Sequence, residues 1–239
     1  MKTLAGIFSF NQNALDLKAR ALCMMRIMSR RFVSYIISVD DPYLCIIEGA
    51  ASNNNDPYGI SCKFDPQRCE LTLTRDHFGR GTLYYCENDE AVFFASEIKS
   101  LFAVSGIPVE PDTEGIINNF IYWTPLSGRT VFRSIRRLEA GESLIIQHGK
   151  KTTELTESSC RFGPFIADMT EAETLVLDAI EKNISEAAAL SHGDPIAVYL
   201  SGGLDSTIIL REFARRLDVP FEVFSLAFKN RSLSEKPFQ

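Results

Sequence analysis

The run Ser201-Gly202-Gly203-Leu204-Asp205-Ser206 constrains this chain more than any other, because it joins an apolar stretch, residues 196–200, to a helix-like stretch, residues 207–217. A strand that turns through glycines into a helix presents unpaired backbone N–H groups and the positive end of a helix dipole. That is an anion site by construction. Gly202 and Gly203 carry no Cβ and let the backbone approach a ligand, the Ser201 and Ser206 hydroxyls add donors, and Asp205 supplies a carboxylate able to hold magnesium. The sequence has no Gly-Lys-Ser/Thr, so this is not the Walker loop that grips terminal phosphates. A turn kept only for packing would need the glycines, but not both serines and the aspartate as well.

The pattern resembles the pyrophosphate loop of ATP pyrophosphatases, which cleave between the α and β phosphates and form an acyl adenylate. Two further blocks, residues 74–85 (TRDHFGRGTLYY) and 95–101 (ASEIKSL), are similar to the glutamine-amidotransferase half of asparagine synthetases. A third, residues 130–144 (TVFRSIRRLEAGESL), follows Phe120-Ile121-Tyr122-Trp123-Thr124-Pro125 and resembles the segment that closes that half. The blocks fall in the family's order from about residue 59 to 228, and the chain is identified as a member of the asparagine synthetase family. The resemblance implies ATP and Mg2+. The nucleotide would lie on residues 200–206, Gly202 and Leu204 included, with the backbone of Leu200 and Leu226 at adenine. Ser201, Gly203 and Ser206 would hold pyrophosphate, and Asp205 the metal.

The N-terminus departs from the family. Glutamine-hydrolysing relatives begin Met-Cys-Gly-Ile and expose the cysteine as a nucleophile whose own α-amine is the base. Here Met1-Lys2-Thr3-Leu4-Ala5-Gly6-Ile7 puts Lys2 in second place, and a lysine protonated near pKa 10.4 cannot replace a thiolate. The family's Arg-His-Arg-Gly-Pro-Asp stretch shrinks to Ser29-Arg30-Arg31-Phe32, and its Asn-Gly-Glu-Ile-Tyr-Asn segment has no counterpart. No glutaminase residue is therefore expected, and Cys23, at mid-helix, reads as core.

A degenerate glutaminase half beside a pyrophosphate loop also resembles the homologues that make intramolecular amides, the lasso-peptide macrolactam synthetases and β-lactam synthetases. There a carboxylate is adenylated and an amine already in the substrate attacks it. Ser234-Glu235-Lys236 resembles a short segment of the lasso-type enzymes. The expected substrate is an amine-bearing peptide or small-molecule carboxylate, with a precursor peptide and its processing protein as partners. Asparagine synthesis from aspartate and ammonia, and a non-catalytic scaffold with a vestigial nucleotide site, are the alternatives. The family's synthetase half continues beyond this point, so the chain reads either as a fragment or as a truncated form, and by itself it is expected to be inactive in amide synthesis.

Composition narrows the classes. A net charge of −6 over 239 residues gives no electrostatic reason to bind nucleic acid. The basic clusters at 26–31 and 133–137 read as solvated faces. No apolar run approaches the ~18 residues of a membrane span, and no signal peptide is apparent, so a cytoplasmic location without membrane contact is expected. The six cysteines form no CxxC or Cys/His cluster. Cys62 and Cys69 flank a turn and could face each other across it.

Period-2 stretches at 4–9, 33–39, 43–49, 58–64, 69–74, 83–86, 92–95 and 143–153, with a helix at 15–28 carrying Leu15, Ala19, Leu22, Met25 and Met28, predict an antiparallel sheet flanked by helices. With the resemblance, residues 1–155 are expected to form an α+β N-terminal-nucleophile-hydrolase-like sandwich. Residues 165–239 are expected to begin an α/β adenine-nucleotide hydrolase domain. Thr170 and Glu173 form a capping box for a helix to about residue 190, with Val176, Leu177, Ile180, Ile184 and Ala187 facing the sheet. Strands at 196–200 and 221–228 around the loop helix imply a parallel pair with a right-handed crossover.

Overall fold

Every residue of β1, Leu4–Ser9, is buried, so both faces of this alternating strand are covered. In the computed structural model, the described residues are 3–11, 16–28, 35–49, 59–155, 163, 166–190, 196–216 and 221–227. Lys2, Arg30, Arg31, Cys160, Pro195 and residues 234–236 lie outside them. The chain divides into two compact units, Met1–Arg161 and Phe162–Gln239.

The first unit runs β1, α1 (Leu17–Met28), β2 (Tyr35–Asp40), β3 (Leu44–Gly49), β4 (Ile60–Asp65), β5 (Glu70–Arg75), β6 (Tyr84–Glu87) and β7 (Ala91–Ala95). It continues through α2 (Ile98–Phe102), α3 (Thr113–Tyr122), β8 (Arg136–Arg137), β9 (Glu142–Gln147) and β10 (Lys150–Leu155). Where the patterning predicts one antiparallel sheet, there are two, ordered β2-β3-β1-β7-β6-β8 and β10-β9-β5-β4. Alternation marks which residues of a strand share a face, but not which sheet the strand joins.

Leu4, Phe8, Leu44, Ile46, Val92 and Phe94 of the first sheet meet Leu71, Leu73, Leu144 and Ile146 of the second. Ala5, Ile7, Cys45, Ile47 and Phe93, on the opposite face, pack under α1 and α2. The order of layers is therefore helices, sheet, sheet. Gly6 permits it: a Cβ there would lie 2.3 Å from Phe94 Cζ and 3.0 Å from the Cys45 carbonyl oxygen.

Three details differ from the sequence reading. The buried residues of α1 are Leu17, Ala21, Met24, Met25 and Met28, a true i, i+4, i+7, i+8, i+11 stripe, and Cys23 is exposed rather than core. Cys62 pairs in register with Leu73, whereas Cys69 ends the turn at φ 48°, so the two thiols do not face each other and neither forms a disulfide. Arg137 is not a solvated charge, since it donates to the Thr124 hydroxyl and the Pro125 carbonyl at 3.1 Å and to Glu139 at 3.2 Å.

The second unit contains α4 (Met169–Leu190), β11 (Ile196–Tyr199), α5 (Leu204–Arg216) and β12 (Phe221–Phe224). The two strands are parallel, with Val198 opposite Val223. The capping box at Thr170 does not form; the Asp168 carboxylate, two residues earlier, accepts from the Glu171 N–H at 2.9 Å and leaves Thr170 inside the helix. Ile184, Val198 and Phe213 are buried, joined by Ile180, Ile196, Leu210 and Phe221. Val176, Leu177 and Ala187, expected against the sheet, are exposed. The β11-β12 pair is too small to cover them.

Candidate functional site

The loop after β11 begins where the strand pair is still tied. The Leu200 N–H donates to the Phe224 carbonyl at 2.9 Å, and the Ser225 hydroxyl donates to the Leu200 carbonyl, also at 2.9 Å. Gly202 then turns the chain at φ 94°, a value that L side chains rarely adopt. Gly203 caps α5, its carbonyl accepting from the Thr207 N–H at 3.2 Å and from the Thr207 hydroxyl at 2.8 Å.

Both serines meet across the turn. Ser201 Oγ lies 3.0 Å from Ser206 Oγ and accepts from the Gly203 N–H at 3.1 Å. Ser206 Oγ accepts from the Ser201 N–H and donates to the Gly203 carbonyl, each at 3.2 Å. The loop's N–H groups thus converge on hydroxyl oxygens, the same acceptor chemistry that a phosphate oxygen offers. Asp205 stands exposed in the first turn of α5. A single exposed carboxylate fits a magnesium ion that keeps its waters and shares phosphate oxygens. Among the described residues no group of three or more His, Cys, Asp or Glu could hold a metal by itself.

The structure brings Ser201, Gly202, Gly203 and Ser206 together. Leu200 is buried at the root, and Leu204 is exposed at the start of α5. Leu226, just past β12, is also exposed. Leu200 has spent its N–H on the sheet, so it retains only an acceptor lone pair for a base. A cavity of about 850 Å³ opens between α4, β11 and α5; Ile180, Ile184, Val198 and Ile209 line it, and Ser201, Asp205 and Ser206 reach it. Sequence reasoning missed Thr207 and Ser225. A hydroxyl one residue past the partner strand was the available signal.

In the first unit, the blocks that carry the resemblance form structural ties. Arg75 is buried and donates to the carbonyls of Gly81 at 2.6 Å and of Leu138 and Gly79 at 2.8 Å. Burial first, then the neighbouring Arg137, lowers its pKa from the usual arginine value. Asp76 accepts from the N–H groups of Phe78 and Arg80 at 2.8 and 3.1 Å. Ser96 fastens β1: its Oγ accepts from the Leu4 N–H at 3.0 Å and its own N–H donates to the Leu4 carbonyl at 2.9 Å.

Lys2 lies outside the described residues. In β1, Gly6-Ile7 follows Ala5, which is wholly buried under the helix layer. Thr3 is buried as well. Burial pushes the Cys86 thiol up to about 12.

Two family models match the chain. One, described as a glutamine amidotransferase domain, matches residues 59–157; the other, asparagine synthase, matches residues 179–239. Asparagine synthetase [glutamine-hydrolyzing] 1 of Bacillus subtilis is 27% identical over 161 residues, covering 67% of this chain and 25% of that protein. Asparagine synthetase [glutamine-hydrolyzing] 3 of the same organism is 23% identical over 184 residues, covering 74% and 28%. Amidase chyE of Penicillium rubens is 26% identical over 148 residues, covering 61% and 21%. The chain spans about a quarter of the length of these relatives.

Proposed function

We propose, from the premise that the chain belongs to the asparagine synthetase family, that it forms part of an ATP-dependent amide-bond-forming ligase whose glutaminase half is inactive. The observation that carries this reading is the closed ring of Ser201, Gly203 and Ser206 at the carboxyl end of β11. Pyrophosphate oxygens would take over the N–H groups of Ser201 and Gly203, with Asp205 holding magnesium beside them. Adenine would lie near Leu200 and Leu226. Bound magnesium would withdraw charge from the phosphates.

In the reaction the family implies, a substrate carboxylate oxygen attacks the α-phosphorus and the bond to the β-phosphate oxygen breaks, releasing pyrophosphate. An amine then attacks the acyl carbon, loses a proton and displaces AMP. Because Lys2 stands where glutamine-hydrolysing relatives carry their nucleophilic cysteine, ammonia from glutamine is not the nitrogen source. The amine belongs to the substrate, a peptide or small molecule bearing both groups, as in lasso-peptide cyclases.

Calorimetry with ATP and Mg2+ tests the nucleotide site, and glutamate release from glutamine tests the other half. Binding by the wild-type chain, weakened about tenfold or more in Asp205→Asn through loss of a charge-assisted ligand, is expected, with no glutamate formed. Binding indifferent to Asp205→Asn would remove the metal role. Glutamate release within tenfold of a competent relative would overturn the inactive half.

A further inference from the structure

Ser225 belongs to none of the blocks that carry the resemblance, yet its hydroxyl holds the root of the loop from the residue just past β12. β11 and β12 stay paired up to Tyr199 and Phe224, and the ladder runs one rung further through the Leu200 N–H and the Phe224 carbonyl. There the backbone pairing ends, and the next link is the Ser225 hydroxyl on the Leu200 carbonyl at 2.9 Å. Leu200 is the last residue before Ser201, whose N–H and Oγ both meet Ser206.

We infer that Ser225 is a positioning residue for the phosphate-binding turn. The inference rests on the nucleotide-site reading above. Its hydroxyl holds the Leu200 carbonyl, and thereby the peptide plane whose other end is the Ser201 N–H, so that this N–H keeps its aim into the turn. Without that bond the Leu200–Ser201 peptide can rock about its Cα bonds, and the Ser201 N–H loses alignment with the acceptor it should meet. The base side does not depend on the bond, because Leu200 keeps a free carbonyl lone pair either way. Ser225 therefore acts on pyrophosphate affinity and not on adenosine affinity.

Calorimetry on the whole chain, with magnesium pyrophosphate, adenosine and MgATP as separate titrants, tests this for wild type, Ser225→Ala and Ser225→Thr. The expected result is a roughly fivefold loss of pyrophosphate and ATP affinity in Ser225→Ala, the size of one net hydrogen bond, a change below about twofold for adenosine, and recovery in Ser225→Thr. Equal losses for pyrophosphate and adenosine would reduce Ser225 to a structural tie and overturn the inference. So would unchanged pyrophosphate affinity in Ser225→Ala while the wild-type chain binds ATP, and that outcome leaves the nucleotide reading standing. A wild-type chain that binds none of the three titrants removes both.

Discussion

At the scale of single residues, small side chains and backbone groups set what this chain can do. Gly6 is the sharpest case, since any Cβ would enter the Phe94 ring, itself buried between the sheets. Neither partner can yield: Phe94 packs against the second sheet, and β1 is hydrogen-bonded on both sides. Gly6→Ala should therefore cost at least about 3 kcal/mol, the upper range for overpacking, seen as a lower urea midpoint of the first unit. A midpoint within error of wild type would mean that Phe94 has room to turn. On the same strand, the Ala5 methyl group is buried in the core under the helix layer.

At the scale of elements, α3 shows how one side chain sets a boundary. Asp112 is buried at its N-cap and accepts from the Gly115 N–H at 2.8 Å and from Arg129 Nη1 at 2.9 Å. The Gly115 hydrogen bond first, and Arg129 after it, hold the Asp112 carboxyl below the usual aspartate range. A carboxyl depressed in the folded state adds stability above its unfolded pKa, about 3.9, and loses it as pH falls through the lower folded value. Asp112→Asn, which retains the capping acceptor but loses the charge-assisted bond to Arg129, should lose about 1 kcal/mol at pH 7 and flatten the acid limb of stability against pH below about 4. An unchanged limb, followed by urea unfolding from pH 2 to 7, would place the acid sensitivity in other groups. Neither α2, α3 nor β8 was read from sequence, because two of them are a single turn and a two-residue bridge, too short for a period to register.

At the scale of the whole molecule, the two units are unequally covered. The first has two cores, each with wholly buried Phe, Ile and Leu side chains. The second buries Ile184, Val198 and Phe213 but exposes Val176, Tyr199, Phe224 and Leu226. Limited proteolysis should cut within residues 166–227 first and leave the first unit as the resistant product; MgATP should slow the cuts near residues 200–206. A second unit as resistant as the first would show that this small core suffices. What the sequence by itself determined was local: the run of strands, the long helix before the loop, and the strand-turn-helix with its two glycines, all dictated by side-chain period and by conformations that only glycine tolerates cheaply. The tertiary structure alone decided which strands join which of the two sheets, that Cys23 faces out, and that Asp168 rather than Thr170 caps α4. It alone brought Ser225 from 25 residues away onto the Leu200 carbonyl. Such pairings depend on which chain segments meet in space, and the meeting is governed by the shape of the shared core, to which no local pattern refers.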